Sequence, residues 1–230
     1  AANTTGGNNS AFGFQALNGC TTGTNNVAIG LDSGKNISTG SNNVFVGSEA
    51  GEDTTTADYN TGIGTKALFA NTTGTQNVAL GFEALDANTT GNNNVAIGDS
   101  ALSSNTTAVN NTAVGRGALN SHTTGSDNTA VGYLALLTST TATDNTAVGK
   151  EAGQIVTTGS NNTLIGREAG QALTTGGNNL FLGKRAGTSS SPSGIQETGS
   201  NIVCLGDNSI SSLFCADTSI SSSDSRDKTD

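Results

Sequence analysis

The sequence contains few of the residues that build a large hydrophobic core or a polar active site. Only 33% of its 230 residues are hydrophobic, and it has one Pro, one His and no Met. A chain with so little apolar surface cannot offset its conformational entropy by forming one compact core. The single histidine, His122, excludes a His-based triad or a His metal cluster within one chain, and we interpret it as a solvated turn residue.

Basic residues are also scarce. Nine Lys and Arg residues stand against eighteen Asp and Glu residues, which gives a formal net charge of -9, and the sequence shows no basic cluster. Because nucleic acids and anionic membranes bind basic surfaces, we expect neither as a partner. No apolar run approaches the roughly 18 residues of a membrane-spanning helix, so no membrane insertion is expected.

Three cysteines, Cys20, Cys204 and Cys215, lack the spacing of a metal or redox motif. We interpret them as small buried or turn residues, with an interchain disulfide as the alternative. Acidic residues such as Asp127 and Asp144 are interpreted as turn acceptors rather than as catalytic carboxylates or calcium ligands. The sequence therefore predicts neither a metal nor a cofactor.

What the sequence does contain is a strict repeat. A Gly recurs at every seventeenth position over ten consecutive intervals, a twelfth copy follows after a longer interval, and we name these residues the anchor glycines. They are Gly13, Gly30, Gly47, Gly64, Gly81, Gly98, Gly115, Gly132, Gly149, Gly166, Gly183 and Gly206. A fixed period of this length is typical of a solenoid, in which each repeat buries its apolar face against its neighbours. Because the chain begins in the middle of a repeat, we expect it to be part of a longer protein.

The residues before each anchor Gly predict a strand. A large apolar residue occupies position -1, usually Ala occupies -2, and Val or Thr occupies -3, as in Val95, Ala96 and Ile97 before Gly98. Alternation over a short β-branched run is typical of a strand, here one that is apolar on both faces. We expect the large residues to fill the interior of each coil. The Ala face would then accept a second copy of the chain.

Position -4 is Asn in every regular copy. Stacked strands lie about 4.8 Å apart, so equivalent Asn side chains would form a ladder of amides bonded along the stack. A turn-capping role, in which each amide bonds its own backbone, is compatible with this ladder. The predicted structural ladder comprises Asn26, Asn43, Asn60, Asn77, Asn94, Asn111, Asn128, Asn145, Asn162 and Asn179.

The residues after each anchor Gly complete the coil. A small residue at +3 and Leu or Gly at +4 predict a second buried segment opposite the strand, and the Thr-Thr-Gly stretch predicts the closing turn. The pattern is regular over residues 1–187, is interrupted by a Ser-, Pro- and Gly-rich insertion over 188–199, and resumes as an altered coil over 200–215 before a tail over 216–230.

The sequence predicts an all-β fold, a parallel β-solenoid of 17-residue coils. We expect three chains to assemble as a homotrimeric fibre, since closed symmetry protects sheet edges from open-ended pairing.

The tail carries the most specific motif. The segment Ser222-Ser223-Asp224-Ser225-Arg226-Asp227-Lys228 resembles the Ser-Asp-x-Arg-x-Lys opening of the intramolecular chaperone domain of phage tail fibres and endosialidases, the peptidase S74 family. The Asn-Asn-Thr-Ala-Val-Gly repeats are similar to those upstream of such domains and, more loosely, to the head repeats of trimeric autotransporter adhesins. The resemblance implies that Ser223 is a self-cleavage nucleophile, that Lys228 is its basic partner, and that scission precedes Asp224.

This resemblance implies a structural protein rather than an enzyme. The chain would be the shaft of a phage tail fibre, located on the virion or otherwise outside the cell, and would hold an element that binds a host glycan or protein receptor. Its partners would be further copies of itself and other fibre or tail proteins. The only expected chemistry is self-cleavage before Asp224, which would need a chaperone domain that this sequence does not include.

Two other functions remain open at this stage. A cellular trimeric adhesin or surface filament is the alternative, because its repeats have a similar pattern. An ice-binding solenoid is a further one, since flat arrays of Thr on β-solenoids suit ice binding. Adjacent residues such as Thr89 and Thr90 would point to opposite faces of a strand, however, whereas a regular Thr face needs a Thr-x-Thr spacing.

Overall fold

The computed structural model describes residues 3–211. Its twelve strands are three residues each and form one parallel sheet in chain order. They are β1 (Ser10–Phe12), β2 (Val27–Ile29), β3 (Val44–Val46), β4 (Thr61–Ile63), β5 (Val78–Leu80), β6 (Val95–Ile97), β7 (Thr112–Val114), β8 (Thr129–Val131), β9 (Thr146–Val148), β10 (Thr163–Ile165), β11 (Leu180–Leu182) and β12 (Val203–Leu205). Each strand immediately precedes an anchor Gly, as predicted.

Successive coils stack in the register that the repeat dictates. Ala79 of β5 pairs with Ala96 of β6, and the same 17-residue offset joins every pair of neighbouring strands up to β11. The longer interval does not change this register, because Leu180 of β11 pairs with Val203 of β12. The predicted parallel β-solenoid is therefore confirmed, and its sheet is about 53 Å long at the usual strand spacing.

The two faces of the sheet are the reverse of those expected from the sequence. The middle residue of each strand from β2 to β12 is buried, whereas its two neighbours are half-buried or exposed. Ala96 has no exposed surface, while Leu80 and Ile165 at position -1 are 44% and 40% exposed. The prediction that large residues fill the interior and that the Ala face contacts another chain is wrong.

The reason is the small and nearly constant volume inside each coil. In the central coils the -2 residue is Ala and the +4 residue is a fully buried Leu, as with Ala96 and Leu102. Where the -2 residue is large, as at Phe45, the +4 residue is Gly51, and a Cβ atom there would lie 2.5 Å from the Phe45 ring. A close-packed interior of this width has no room for a second large side chain, so the -1 residue points outward.

The anchor glycines are required by both conformation and packing. They adopt positive φ angles, 132° at Gly98, for example, in a region that side chains rarely occupy. A Cβ atom on Gly98 would also lie 2.7 Å from the backbone carbonyl of Gly115 in the next coil. Both parts of this arrangement repeat along the stack, so the backbones of neighbouring coils pass close to each other at these glycines.

The insertion adds turns to one side of the last coil. Within residues 188–199, Thr188 and Ser191 are buried, and the N–H of Thr174 donates to the carbonyl of Glu197 at 2.6 Å. The column of coils thus continues past the insertion into β12. The described residues end inside the predicted altered coil 200–215, and the predicted tail 216–230 lies outside them.

Candidate functional site

The ten predicted ladder residues lie in one buried column. The Oδ1 atom of each accepts the backbone N–H of the equivalent residue in the next coil at 2.9–3.1 Å. From Asn26 to Asn162, each Nδ2 atom donates to a turn carbonyl fourteen residues later at 2.8–3.0 Å. Asn179 makes the same type of bond to Gly199 at 2.8 Å. The column uses its polar atoms to join coils, so it stabilises the stack and presents no ligand-binding groups.

The predicted self-cleavage residues, Ser223 and Lys228, lie outside the described residues. The same is true of Cys215. Cys20 and Cys204 are buried, as expected of small structural residues, and neither forms a disulfide within the described chain.

The outer sheet face, which we define as the -3 and -1 side chains of the twelve strands, has a large apolar residue at -1 in every coil and Val, Leu, Thr or Ser at -3. It was missed because both faces of each strand are apolar in the sequence. Several of its large side chains are exposed, and the +1 residues beside it add further aromatic and aliphatic surface. The exposed members at -3 and -1 are Phe12, Ile29, Ile63, Val78, Leu80, Ile165, Val203 and Leu205, and those at +1 are Phe14, Leu31, Phe82 and Tyr133.

The structure also brings together basic residues that look scattered in the sequence. Arg116, Lys150, Arg167 and Lys184 all occupy position +1, so the stacked coils place them in one column beside the outer sheet face. Tyr133 shares this position, and its ring lies 5.9 Å from the guanidinium of Arg116 and 5.8 Å from the ammonium of Lys150. Counting residues in steps of 17 would have revealed this column from the sequence.

Carboxylates balance these cations. Lys150 lies 3.4 Å from Glu151, and Lys184 lies 3.4 Å from Asp207. Arg167 and Arg185 both contact the carboxylate of Glu168, whose own side chain is almost fully buried. The hydrogen bond from Arg185, assisted by Arg167, holds the pKa of Glu168 below its ordinary value against the opposing effect of desolvation. The column is therefore a set of ion pairs rather than a strongly cationic surface.

His122 is buried, which corrects its interpretation as a solvated turn residue. It occupies position +7, and the same position in the three preceding coils holds the buried residues Asn71, Asn88 and Asn105. Its Nε2 and Nδ1 atoms are paired with the carbonyl of Gly125 and the hydroxyl of a serine in the next coil. Burial lowers the pKa of His122, since the imidazolium form would lose its hydration.

The side chains at position +7 from Asn71 to Ser139 form an inner polar column that sequence analysis missed. Asn88 donates to Asn71 and Asn105 donates to Asn88, each at 2.8 Å. The Oδ1 atom of Asn105 is buried without a hydrogen-bond partner, because the next residue in the column is His122. The signal was present in the sequence as Asn at a second fixed position.

The described residues offer no metal centre. Within residues 3–211, no three His, Cys, Asp or Glu side chains come close enough to hold a metal ion. This part of the chain also contains no helix of the length and apolarity needed to cross a membrane. Compared with family models, with curated proteins and with solved structures, the chain gives no match. The fold defines its class, a β-solenoid repeat protein with one continuous parallel sheet.

Proposed function

We propose that this chain is the shaft of a homotrimeric extracellular fibre of the phage tail-fibre type, which holds a receptor-binding element away from the particle. The observation that carries the proposal is the column of large apolar side chains at position -1 of the outer sheet face, which continues over all twelve coils of a stack held in strict register. Scattered apolar side chains are normal on protein surfaces, but a continuous face of several hundred square ångströms indicates an interaction surface.

The partner best suited to this face is another copy of the chain. The outer sheet face presents apolar side chains about every 4.8 Å over about 53 Å, so a partner must repeat at the same spacing to stay in contact throughout. A second copy has the required spacing and length. Three copies arranged around an axis would cover the outer sheet face of each chain, because closed rotational symmetry leaves no contact unsatisfied.

The C-terminal segment supplies the second part of the proposal. Ser223 and Lys228 would cut the chain before Asp224 after a following chaperone domain has brought the three chains into register. Such a regular repeat needs this guidance, because a slip by one coil preserves most contacts. Removal of the chaperone would then make the fibre hard to unfold, since a chaperone that lowers the barrier to assembly also lowers the barrier to the reverse process.

The proposed homotrimeric assembly of the shaft is tested by measuring the oligomeric state of the full-length protein with light scattering and chemical cross-linking. We expect a trimer, and we expect Ile97→Asp and Val131→Asp, which place charges on the outer sheet face, to reduce it to monomers. Thr107→Asp is the matched control, because Thr107 is exposed in the closing turn on another side of the coil. A wild-type monomer, or a trimer that tolerates both outer-face charges, would contradict the proposal.

Self-cleavage is tested separately on the full-length protein. We expect wild-type material to be processed before Asp224, and Ser223→Ala and Lys228→Ala to remain intact. Mass spectrometry of the products identifies the cut. Unchanged processing in Ser223→Ala would reject the assigned nucleophile and leave the trimeric shaft to be judged by its own experiment.

A cellular trimeric adhesin would use the same shaft. Its encoding gene would carry a signal peptide and a membrane anchor, whereas neighbouring genes for baseplate or capsid proteins support the viral assignment. A phage fibre and a cellular adhesin would both be structural proteins with the same shaft. The gene and its neighbours therefore decide where the fibre is located and which other fibre or tail proteins it binds, but not its architecture.

An ice-binding solenoid is favoured by one specific observation. In β7, β8, β9 and β10 the outward -3 residue is Thr and the outward -1 residue is Val or Ile, which produces a regular array of Thr beside a β-branched apolar residue on the outer sheet face. Such an array needs to be exposed to meet ice, whereas assembly of the trimer would cover it. Thermal hysteresis of the purified wild-type protein, lost in Thr129→Asp, would favour ice binding over the shaft.

A further inference from the structure

One regular coil lacks the side chain that the other regular coils carry at position +2. Position +2 has φ between 51° and 59° in ten coils, and all ten have a residue with a side chain there. Gly117 adopts a similar φ of 65°, so the backbone conformation alone does not account for this glycine. These ten residues are Gln15, Asp32, Glu49, Lys66, Glu83, Ser100, Leu134, Glu151, Glu168 and Arg185. Gly117 is buried, and a Cβ atom there would lie 2.7 Å from Cδ2 of Leu134, so the Leu134 side chain of the next coil packs over this glycine.

Gly117 and Leu134 line a surface groove with two chemically different walls. The groove has a volume of about 330 Å³, near the lower limit for small-molecule pockets. Leu134, Leu137 and the edge of Tyr133 supply apolar surface. Its full lining is Asp99, Ser100, Arg116, Gly117, Asn120, Tyr133, Leu134 and Leu137.

The polar wall is held in place by hydrogen bonds within the chain. The Nδ2 atom of Asn120 donates to the carbonyl of Ser100 at 3.1 Å and to the hydroxyl of Ser103 at 2.8 Å. The Ser100 hydroxyl donates to Asp99 at 3.1 Å. These bonds fix one amide and one carboxylate while leaving acceptor oxygens for a ligand, so the wall is organised before any ligand binds.

Arg116 provides donors on the same wall. Its side chain is 65% exposed and its Nε atom lies 3.9 Å from Asp99, a separation at which the ion pair is weak. The planar guanidinium therefore keeps several N–H groups available. Asp99, Asn120 and Arg116 together offer the planar donors and acceptors that pair with adjacent hydroxyl groups.

The charges around the groove are balanced. Arg116 and Lys150 are cationic, while Asp99 and Glu151 are anionic, and both cations lie near the Tyr133 ring. A balanced surface gives no net attraction to a polyanion or a polycation. It suits an uncharged ligand that has hydroxyl groups on its edge and C–H groups on its face.

We infer that the groove beside Gly117 binds one unit of an uncharged saccharide. The hydroxyl groups of the sugar pair with Asp99, Asn120 and Arg116, and its C–H face packs on Leu134 and Leu137. The inference rests on the proposed function in one respect, since a fibre outside the cell meets host-surface glycans. It assigns the shaft itself a contact with a glycan, in addition to any receptor-binding element elsewhere.

The test uses the full-length protein and a panel of neutral glucose-, galactose- and mannose-based oligosaccharides, with saturation-transfer NMR for detection and calorimetry for affinity. Gly117→Gln introduces the residue that position +2 carries at Gln15, and Arg116→Thr introduces the residue that position +1 carries at Thr65. The Cβ atom that Gly117→Gln introduces would lie 2.7 Å from Cδ2 of Leu134, so the end of this side chain must move, and the melting temperature checks that the coil tolerates the change. The matched control is Glu83→Gln, at position +2 two coils away.

We expect at least one neutral saccharide to bind the wild-type protein, with a dissociation constant of about 1 mM or below. Gly117→Gln should weaken binding by at least about tenfold, Arg116→Thr by somewhat less, and Glu83→Gln should leave it unchanged. Absence of neutral-saccharide binding up to about 10 mM, stronger binding of an acidic saccharide, or unchanged binding by Gly117→Gln would overturn the inference.

The same samples distinguish this inference from the proposed shaft. Light scattering on each variant reports assembly, and the melting temperature reports folding. A protein that binds sugar at the groove but remains monomeric contradicts the shaft alone. A trimer that binds no neutral sugar contradicts the groove alone.

Discussion

Two kinds of coil occur in this solenoid, and they fill the same interior from different sides. In the Leu coils, the six coils with Leu17, Leu68, Leu85, Leu102, Leu119 or Leu136 at position +4, the interior is filled from the side opposite the sheet. The Gly coils have Gly at +4. Three of them are filled from the strand, by Phe45 near one end and by Leu164 and Phe181 near the other.

Position +7 changes together with position +4. The Leu coils from Leu68 to Leu136 have polar residues there, such as Asn88 and His122, whereas three of the Gly coils have the apolar residues Ile37, Val156 and Leu173. Ile37 and Val156 belong to the Gly coils whose strand residue is Ala. The interior volume is thus preserved while the source of the side chains changes. A thin core imposes a constraint on volume across the coil rather than on the identity of any one residue.

The two kinds of coil also differ in backbone strain. The +4 position has a positive φ in both, between 50° and 56° for leucines such as Leu68 and Leu102, and 59° for Gly51. A positive φ is unfavourable for a Leu side chain and costs nothing special for Gly. Full burial of the leucine offsets this cost in the Leu coils. The Gly coils avoid the strain and depend on a large residue in the strand or at +7 instead.

The largest effect is expected from breaking the volume match at Phe45. Phe45→Ala should reduce the free energy of unfolding by about 3–5 kcal/mol, because it leaves a cavity in a Gly coil. Gly51→Leu alone should also destabilise, since its side chain would overlap the Phe45 ring. The double variant converts the coil to the Leu type and should recover at least about half of the loss. Denaturant unfolding measures all three.

The control for this set is Ile155→Ala, whose side chain is 39% exposed and lies away from the outer sheet face. It should change the unfolding free energy by less than about 1 kcal/mol. Additive losses in the double variant would show that the two kinds of coil are not alternative solutions to one volume constraint.

The Asn ladder should be equally important in both kinds of coil. Asn94→Ala in a Leu coil and Asn162→Ala in a Gly coil each leave a backbone N–H and a turn carbonyl without their partners. Each should lower the unfolding free energy by on the order of 3 kcal/mol. Asn92→Ser is the control, because equivalent turn positions hold Ser41 and Ser126. If one of the two variants loses less than half as much unfolding free energy as the other, the stabilisation by the ladder depends on the kind of coil.

His122→Asn should stabilise the Leu coils. An amide at this position can donate to the unpartnered Oδ1 atom of Asn105, as Asn105 donates to Asn88 at 2.8 Å. We expect a gain of about 1 kcal/mol at pH 7. The wild-type protein should lose further stability as the pH falls below about 6.5, because the folded state binds the imidazole proton less well than the unfolded state.

His122 is the only histidine in the sequence, so an acid-induced loss in this range that persists in His122→Asn would contradict its assignment. The measurement is thermal unfolding between pH 7.5 and pH 5, with the wild type and the variant compared in the same buffers.

The smallest effect concerns Asp86, in a Leu coil. Burial, with a smaller contribution from Glu83, raises the pKa of Asp86 to about 6, and its Oδ1 atom has no hydrogen-bond partner. Asp86→Asn should stabilise the protein at pH 7 by about 1 kcal/mol after allowance for solvent screening at this partly exposed site. Asn120 shows that an Asn is compatible with this position.

The contribution of Asp86 to stability changes with pH in the opposite direction to that of His122. A raised carboxyl pKa means that the folded state retains its proton more strongly, so the wild type loses stability as the pH rises from about 4 to about 6. The advantage of Asp86→Asn should shrink as the pH falls through this window and be small at pH 4. Thermal unfolding in the His122→Asn background separates the two titrations, and a constant advantage at every pH would contradict the assignment.

Much of the candidate site could be found from the sequence by counting. The ladder from Asn26 to Asn179 occupies one position of the repeat, and its burial follows from the stack. The column with Arg116 and Lys150 follows from the same count but needs the residues to be compared in steps of 17. The groove beside Gly117 could not be predicted, because its lining comes from three coils and depends on how the side chains of those coils pack together.

The sequence by itself determined the coil. Its period sets the stack, the β-branched run before each anchor Gly sets the strand, and glycines such as Gly98 set the corner, because each of these features depends on local conformation. The tertiary structure alone decided which face of the sheet is inside. Both faces of a strand such as Val95–Ile97 are apolar, and only the volume left by Leu102 across the coil makes Ala96 the residue that fits.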